Sequence, residues 1–499
     1  MDFKPEICFV ASEMYPFSKT GGLADVIGVL PLTLHKMGYN VCVITPFYGR
    51  IATSEFSPHL VYEDMKVGYP WPEISADVFR AKFYGMPVYF IDRGEYYDRR
   101  YYYCTYKGDY FDNCERFIFF CRAAMALMKK MGSPPKIVHS HDWHAALINS
   151  YIYYQKRHDP FWEDTATIFT IHNLAFQGRF SVRLFWDSGL PYEAWNMDGV
   201  EFYDSFNLLK GGIAHADLVT TVSPSYAGEI LTPEFGCGLE GILQKRSTDL
   251  MGILNGADYN VWNPGKDKYL EANYTAKNLE GKFACKKDLI QNLCLSSRLM
   301  HRPVLGFIGR LRSQKGIDLL LEIIPELVKK DVGVAVLGEG DAEYEASLMN
   351  LVELYPDHVA GLVGYTEEMA HKIQAGTDIF LMPSRYEPCG LTQMYSLRYG
   401  TPPVATAVGG LKDTIVPYPN EKSTGFIFEN STSNDLLQAM EKALALFEDK
   451  DAWAKLQARG MKADFSWKRS AELYIKAYQS IGYDQIDSKN KDKKTSSSI

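Results

Sequence analysis

Short apolar runs alternate with amphipathic stretches of helical length along most of this 499-residue chain. The first run, ICFVAS, is followed by LADVIGVLPLTLHKMG and then by a second run, YNVCVITP. In the middle stretch the apolar residues recur at helical spacing and form one apolar face. Strands that alternate with amphipathic helices form parallel sheets with helical crossovers. The pattern therefore predicts an α/β fold, with a kink at Pro31 if the first helix is continuous.

The same alternation restarts after residue 300, which indicates two domains rather than one. Between the two series, ILNGADYNVWNPGKDKY is rich in Asn, Gly, Asp and Pro, as is typical of a connection. We expect two Rossmann-like domains whose parallel sheets face a deep interdomain cleft, because such sheets bind ligands at the carboxyl ends of their strands. The predicted segments are an N-terminal domain at 1–254, an interdomain connection at 255–302, a C-terminal domain at 303–465, a helix at 466–483 that packs back on the N-terminal domain, and a disordered tail at 484–499.

The composition argues against several classes of protein. A formal net charge of −8 at pH 7 disfavours a nucleic-acid-binding protein, which carries a basic excess or stripe. No apolar run reaches the roughly 18 residues that a membrane-spanning helix needs, and the first residues lack a signal-peptide pattern. The nine cysteines include no C-x-x-C pair. We therefore expect a cytoplasmic protein with reduced thiols and with neither a nucleic-acid nor a membrane partner.

A glycine pair opens the first predicted helix, in SEMYPFSKTGGLADVIGVLP. The segment matches neither the dinucleotide pattern G-x-G-x-x-G nor the P-loop G-x-x-x-x-G-K-[ST], because Lys19 precedes Gly21 and Gly22. The second half contains an echo of it, with GGLKDTI in place of GGLADVI, and a shared origin of the two is one interpretation. Ala407 stands where the first copy has Lys19. We therefore interpret Lys19 as a residue that serves a ligand rather than the turn.

The second half places two cations and a carboxylate beside predicted strand ends. Arg310 and Lys315, in FIGRLRSQKGIDLL, suit a diphosphate, with a solvated basic loop as the alternative. In FLMPSRYEPCGLTQMYSLRYG a helix is predicted to begin near residues 389–392, and its free backbone N–H groups favour an anion. Glu387 lies in the same loop and is a candidate functional carboxylate. The alternatives are that Glu387 caps the helix or pairs with Arg385.

Histidines and an aspartate lie at predicted strand ends in the first half. IHNLAFQG places His172 at one strand end, and VHSHDWHAAL places Asp142 and Trp143 at another. The latter segment also contains His139, His141 and His144. A metal site is one interpretation, but no nearby Glu or Cys completes a set of ligands. We favour packing or hydrogen bonds to a substrate for these three histidines, and expect no metal.

Six segments, taken together and in this order, resemble the motifs of bacterial and plant glycogen and starch synthases: KTGGLADV, HDWHA, TIHNLAFQG, LNGAD, GRLRSQKG and SRYEPCGLTQMYSLRYGTPPV. That family consists of retaining glycosyltransferases of the two-Rossmann-domain GT-B fold. The resemblance implies transfer of glucose from ADP-glucose to the non-reducing 4-hydroxyl of an α-1,4-glucan such as glycogen, without a cofactor. It also implies that the first domain serves the acceptor and the second binds the nucleotide-sugar.

The resemblance assigns roles to individual residues. It implies catalytic roles for side chains at the diphosphate and the glucose of the donor: Lys19, His172, Arg310, Lys315 and Glu387. It implies substrate contacts for residues in and near the same loops: Gly21, Gly22, Asp25, Asp142, Trp143, Asn173, Asn255, Tyr365, Cys389, Gly390, Leu391 and Thr392. The tyrosine-rich segment 96–113 falls where the family has an acceptor-side loop, but its sequence is too individual to assign single residues.

The chemistry of these residues fits the resemblance. Departure of ADP loads negative charge onto the diphosphate, and Lys19, Arg310, Lys315 and a helix N-terminus stabilise that charge without a metal. Because these cations come from both halves, we expect the cleft to close around the donor. Retention of configuration requires either a covalent intermediate on Glu387 or attack on the same face. We favour same-face attack, with Glu387 and His172 positioning the donor.

Two other functions remain open from the residues alone. One is another nucleotide-sugar transferase of the same fold, making sucrose, trehalose or a cell-wall glycan. The other is a catalytically silent protein that binds or regulates a glucan. The set of cations argues against the silent protein, since a binding module has no leaving group to stabilise. The preference for ADP-glucose over UDP-glucose rests on the resemblance.

Overall fold

The computed structural model describes residues 3–49, 51, 54–68, 74–106 and 108–483, and the predicted tail at 484–499 lies outside these described residues. The described chain divides into two compact units. Within the described ranges, the first unit contains residues 3–222, 227–253 and 467–483, and the second contains residues 223–226 and 254–466.

The strands of the first unit form one large sheet and two small ones. They are β1 (Ile7–Val10), β2 (Val41–Pro46), β3 (His59–Lys66), β4 (Ser75–Phe83), β5 (Met86–Asp92), β6 (Cys104–Thr105), β7 (Gly108–Asp109), β8 (Ile137–His141), β9 (Ala166–Ile171), β10 (Arg179–Ser181), β11 (Glu201–Phe202), β12 (Ser205–Asn207), β13 (Leu218–Thr221) and β14 (Leu250–Gly252).

The helices of the first 253 residues connect these strands. They are α1 (Gly22–Lys36), α2 (Gly94–Tyr97), α3 (Asn113–Lys130), α4 (Asp142–Ala145), α5 (Leu147–Gln155), α6 (Arg183–Asp187), α7 (Leu208–His215), α8 (Pro224–Glu229) and α9 (Glu240–Lys245). Helix α1 is continuous through Pro31, and it buries the apolar face that its sequence predicts, including Leu23, Ile27 and Leu34.

The large sheet has the order β14-β13-β9-β8-β1-β2-β5-β4-β3. Strands β14 to β5 of that order are parallel, as the sequence predicts. The antiparallel strands β4 and β3 were not predicted. Both carry exposed or half-buried residues among the buried ones, so neither presents a compact apolar run. The chain runs from β1 to β2 on one side and places β8 on the other, so the strand order switches between β1 and β8, where such sheets bind ligands.

The second unit repeats this design with six parallel strands. They are β15 (Val304–Ile308), β16 (Gly333–Gly338), β17 (Val359–Val363), β18 (Ile379–Met382), β19 (Pro403–Thr406) and β20 (Phe426–Phe428). Their order in the sheet is β17-β16-β15-β18-β19-β20, so the order switches between β15 and β18. The helices are α10 (Glu280–Asn292), α11 (Ile317–Lys329), α12 (Ala342–Leu354), α13 (Glu367–Gly376), α14 (Thr392–Arg398), α15 (Gly409–Thr414), α16 (Ser433–Glu448) and α17 (Lys450–Lys462).

Residues 255–302, where the sequence predicts an interdomain connection, lie within the second compact unit. Two buried lysines of α10 hold this segment in place. Lys282 Nζ donates to the carbonyl of Ala375 at 2.8 Å, at the end of α13. Lys286 Nζ lies 2.7 Å from Oδ2 of Asp378, just before β18. The sequence before α10 is polar and rich in glycine, so it does not indicate these two long-range contacts.

The last helix, α18 (Trp467–Ser480), is part of the first unit. Its Tyr478 hydroxyl lies 3.0 Å from Nδ1 of His139 in β8, and both side chains are buried. None of the helices in the described ranges is both long and apolar enough to cross a membrane.

The two glycine pairs with similar sequences occupy different places in their sheets. Gly21 follows the first strand of the first unit, whereas Gly409 follows β19, the fifth strand of the second. Gly21 has φ −160°, an extended conformation, whereas Gly409 has φ +43°. The two similar segments therefore form different turns. The presence of Ala407 in the second segment is then no evidence that Lys19 serves a ligand.

Candidate functional site

A buried glutamate, Glu13, holds the loop after β1. Glu13 is 3% exposed, and its carboxylate accepts hydrogen bonds from the Thr20 backbone N–H at 2.5 Å and the Thr20 hydroxyl at 2.6 Å. The Tyr103 hydroxyl donates to it at 2.7 Å. Burial raises the pKa of Glu13, while these hydrogen bonds lower it. The carboxylate therefore fixes the backbone directly before Gly21.

Lys19 and the glycine pair form an accessible surface at the start of α1. Lys19 Nζ lies 2.7 Å from Asp25 Oδ1, and the two side chains are 46% and 30% exposed. A Cβ at Gly21 or Gly22 would meet no described atom within 4 Å. The extended φ of Gly21 is open to any residue. Neither the backbone of Gly21 nor packing against described residues demands glycine here, and the space beside the pair is open.

Asp142, the first residue of α4, positions the backbone that follows β9. Its Oδ1 accepts the His172 backbone N–H at 2.8 Å, and the backbone N–H of Asn173 also bonds this carboxylate. Burial raises the pKa of Asp142 to about 7, although these two hydrogen bonds lower it. Asp142 has φ +54°, which is uncommon for a residue other than glycine. The backbone therefore keeps a strained conformation that places His172 and Asn173.

The imidazole of His172 contacts a second histidine. Its Nε2 lies 3.0 Å from Nδ1 of His141, the last residue of β8. Burial lowers the pKa of His172 to about 3. His172 is therefore neutral near pH 7, so its ring forms hydrogen bonds rather than an ion pair with a phosphate.

Trp143 packs inside the first unit instead of presenting a surface to a sugar. It is 8% exposed, and its ring centroid lies 3.9 Å from that of His144 and 5.0 Å from that of Phe117. A Cβ at Gly178 would lie 2.4 Å from the indole. Because these neighbours cover the ring, its position does not favour the substrate contact that was expected.

The histidines near Trp143 serve packing and hydrogen bonding. His139 uses both ring nitrogens, with the Tyr478 hydroxyl at 3.0 Å and the Thr170 hydroxyl at 2.6 Å. Within the part of the chain that the structure describes, no group of three or more His, Cys, Asp or Glu is arranged to hold a metal ion.

In the second unit, Lys315 and Glu387 form an ion pair between the loops after β15 and β18. Lys315 Nζ donates to Glu387 Oε2, which also accepts the Ser384 hydroxyl at 3.2 Å. Glu387 is 6% exposed, and the Lys315 side chain is 27% exposed. Arg310 lies exposed in the loop after β15. These strands flank the switch point of the sheet, so the three charged residues share the edge where ligands of such sheets bind.

Arg385 pairs with Asp318 rather than with Glu387, which excludes one alternative for Glu387. Its guanidinium donates to both carboxylate oxygens of Asp318, at 2.7 and 2.6 Å. Gly316 has φ +68°, and a Cβ there would lie 2.0 Å from the carbonyl oxygen of Pro383. Close backbone packing of the two loops therefore sets the position of Lys315.

The loop after Glu387 leads into α14, which begins at Thr392 as predicted. Gly390 has φ +70°, and a Cβ there would lie 2.5 Å from Gln393 Oε1. The first backbone N–H groups of a helix lack partners within the helix, so those near Leu391 and Thr392 are available to a ligand. Cys389 is 5% exposed, and burial raises its pKa to about 12.

Asn255 and Tyr365 lie in different surroundings within the second unit. The Asn255 backbone N–H bonds the Cys389 thiol, and its side-chain Oδ1 is buried without a partner among the described residues. Tyr365 follows β17, so it lies at the same edge of the sheet as Lys315 and Glu387. It is 55% exposed, and its hydroxyl donates to Glu367 at 3.1 Å. Tyr365 therefore has the accessible ring that a nucleobase contact requires.

Two residues that shape the loop after β1 were missed in the sequence. Glu13 stands two residues after a buried run and before a glycine-rich loop, which is a usable signal for a residue that holds a turn. Tyr103 had no such signal, because it stands among the many tyrosines of segment 96–113. Its role depends on a contact across 90 residues of chain.

The sequence and the fold of this chain are similar to those of known proteins. The profile of the starch synthase catalytic domain matches residues 6–245, and that of the group 1 glycosyl transferases matches residues 297–459. Glycogen synthase 2 of Geobacter sulfurreducens is 42% identical over 477 residues, covering 95% of this chain and 98% of that protein. The chain belongs to the glycogen and starch synthase family. It is a glucosyltransferase that adds glucose to a glucan.

Further relatives and solved structures agree with this family. Glycogen synthase of Anaeromyxobacter dehalogenans is 44% identical over 479 residues, covering 95% of this chain and 99% of that protein. The catalytic domain of starch synthase IV from Arabidopsis thaliana, bound to ADP and acarbose, is 32% identical with a TM-score of 0.88 over 96% of this chain and 99% of that one. Sucrose-phosphate synthase from Thermosynechococcus elongatus is 18% identical with a TM-score of 0.60, over 95% and 99%, and shows the shared GT-B fold alone.

Proposed function

We propose that this glycogen synthase family member transfers glucose from ADP-glucose to the non-reducing 4-hydroxyl of an α-1,4-glucan, with retention of configuration and without a metal ion. The observation that carries the proposal is the likeness to starch synthase IV, whose structure contains ADP and acarbose. The cytoplasmic location expected from the sequence remains a prediction, supported by nine cysteines that are all free thiols.

The charged residues support a metal-independent departure of ADP. Lys19 in the first unit and Arg310 and Lys315 in the second are cations at the ligand-binding edges of their sheets. As the bond between glucose C1 and the phosphate oxygen breaks, negative charge develops on the diphosphate. Fixed cations stabilise that charge in the transition state without further reorganisation.

The environment of Glu387 favours same-face attack over a covalent glycosyl intermediate. Its Oε2 is engaged by the Lys315 ammonium and the Ser384 hydroxyl, which lowers its capacity to attack carbon. In same-face attack the C1–phosphate bond breaks and the acceptor O4 bonds C1 on the same side. The acceptor proton then passes to the departing phosphate oxygen. Glu387 and the neutral His172 hold the glucose during this step.

One assay tests the activity and its alternatives. The purified protein is given glycogen with radiolabelled ADP-glucose or UDP-glucose, with and without EDTA. We expect glucose incorporation that prefers ADP-glucose and resists EDTA, with new α-1,4 linkages in the NMR spectrum of the product. Preference for UDP-glucose would overturn the donor assignment, and loss of activity in EDTA would overturn metal independence. Failure to label glucan from either donor would reject the proposal and favour a silent glucan-binding protein.

A further inference from the structure

His141 and His172 lie at the carboxyl ends of two neighbouring parallel strands, and their rings are joined by a hydrogen bond. His141 ends β8, and His172 directly follows β9. The 3.0 Å between His141 Nδ1 and His172 Nε2 is a hydrogen-bond distance, so one of these two nitrogens carries the proton. Burial lowers the pKa of both imidazoles, so both are neutral near pH 7. Two arrangements remain, which differ in the ring that donates.

The other nitrogen of His141 distinguishes the two arrangements. His141 is fully buried, and its Nε2 has no hydrogen-bond partner among the described residues. If His172 were the donor, neutral His141 would carry its own proton on Nε2, as a buried N–H without an acceptor. Orphaned buried N–H groups are rare and costly. If His141 donates from Nδ1, its Nε2 carries only a lone pair and no orphan donor arises.

The packing around His141 keeps its ring in the orientation that this bond needs. The ring packs against Phe9, at a centroid distance of 5.6 Å and 14° between planes, and against His139, at 4.2 Å and 30°. His139 is itself held by Tyr478 and Thr170. The orientation of His141 is therefore set by neighbours on β1, β8 and α18.

We propose that His141 is a positioning residue that donates from Nδ1 to His172 Nε2 and thereby keeps His172 as its Nδ1–H tautomer. The consequence concerns the ligand. His172 Nδ1 forms no hydrogen bond with a described residue, so its N–H is free to donate. His172 then meets the donor sugar as a hydrogen-bond donor to an oxygen, not as an acceptor. The contact between His172 and the donor sugar rests on the proposed function. The tautomer of His172 does not depend on it.

The tautomer is tested directly in the full-length protein. Histidine ring nitrogens are labelled with ¹⁵N, and the His172 signals are assigned by their loss in His172→Gln. We expect a protonated Nδ1 and a bare Nε2 in the wild type. In His141→Phe, which retains a ring against Phe9 and His139, we expect a mixture of tautomers. His144→Phe is the control, because the ring contacts of His144 are with Tyr103, Phe117 and Trp143; it should remove the His144 signals and leave those of His172 unchanged. A protonated Nε2 on His172 in the wild type would overturn the proposal.

Kinetics test the consequence for the reaction. We expect His141→Phe to lower kcat roughly tenfold, the scale of one hydrogen bond, with a smaller change in KM for the nucleotide-sugar and an unchanged melting temperature. His141→Asn, whose amide can donate from the place of Nδ1, should recover part of kcat. Unchanged kcat in His141→Phe would overturn the positioning role. Unchanged kcat in His172→Gln would instead reject the role of His172 in the proposed function. The ¹⁵N spectra would still decide which tautomer His172 adopts.

Discussion

Lys19 and Asp25 form an ion pair of 2.7 Å at the start of α1, with both side chains substantially exposed. Exposed pairs contribute about 0–1 kcal/mol to stability, so the pair does little for the fold. We therefore predict that Lys19→Ala lowers kcat by roughly 10²–10³, the cost of losing one transition-state donor, while the melting temperature changes little.

A matched variant separates this role from surface charge in general. Lys245 and Asp198 form another 2.7 Å pair in the same unit, with both side chains 60% exposed. Lys245→Ala should therefore leave both kcat and melting temperature unchanged. A wild-type turnover number in folded Lys19→Ala would contradict the prediction.

Substitution by alanine is predicted to lower activity at Gly21 and stability at Gly316. Gly21 is extended with open space at its Cβ position, so Gly21→Ala should fold normally and lose activity by tenfold or more, because the methyl group obstructs the ligand. At Gly316 a Cβ would overlap the Pro383 carbonyl and φ is +68°, so Gly316→Ala should lower the melting temperature. Thermal melts and donor titrations measure both. If Gly21→Ala lowered the melting temperature but kept normal activity in the folded protein, Gly21 would serve the fold and not the ligand.

A single and a double substitution test how much the Lys315–Glu387 ion pair contributes to the stability of the fold. Lys315→Met leaves a buried carboxylate with the Ser384 hydroxyl as its remaining hydrogen-bond donor among the contacts described above, so we expect a loss of stability of about 3 kcal/mol in urea unfolding. Adding Glu387→Met removes the unpaired charge and should restore most of that stability. Activity should be lost in both proteins, because the cation is gone. Equal stability of the single variant and the wild type would show that the pair is immaterial to the fold.

The alternation of apolar runs and amphipathic helices was sufficient to predict the parallel core, because both patterns are local. Strands β1 and β2 coincide with the runs ICFVAS and YNVCVITP, and β8 and β9 end at the predicted strand ends. Strands β3 and β4 were missed because one-sided antiparallel strands lack a continuous apolar run. Residues 255–302 were assigned to a connection because composition reports polarity and not the distant partners of Lys282 and Lys286.

The site was predictable only to the level of loops. Strand ends carrying Lys19, His172 and Glu387 are visible in the sequence, since functional residues concentrate where parallel strands end. The contacts that position them are not visible, because each depends on which strands become neighbours. Glu13 meets Tyr103 across 90 residues, and Lys315 meets its carboxylate across 72.

Thiol accessibility provides a prediction that does not depend on activity. Cys104, Cys237 and Cys294 are exposed, whereas the other six cysteines are buried. Burial raises the pKa of Cys121 and of Cys389 to about 12, which suppresses the reactive thiolate. Titration with Ellman's reagent should modify three thiols quickly in the native protein and all nine in denaturant. Rapid modification of Cys389, located by peptide mapping, would contradict its burial.

Asp142 predicts a specific dependence of stability on pH. Burial raises its pKa to about 7 in the folded protein, whereas an unfolded aspartate ionises near pH ~4. The folded state therefore holds this proton more tightly, and the stability it contributes falls as pH rises from about 4 to 7. Asp142→Asn cannot ionise and tolerates φ +54°, so its melting temperature should fall less than that of the wild type between pH 5 and pH 8. Asp198→Asn is the control, because Lys245 lowers the pKa of Asp198 and this carboxyl is ionised throughout that range. If the melting temperature of Asp142→Asn fell between pH 5 and pH 8 as much as that of the wild type, Asp142 would already be ionised at pH 5.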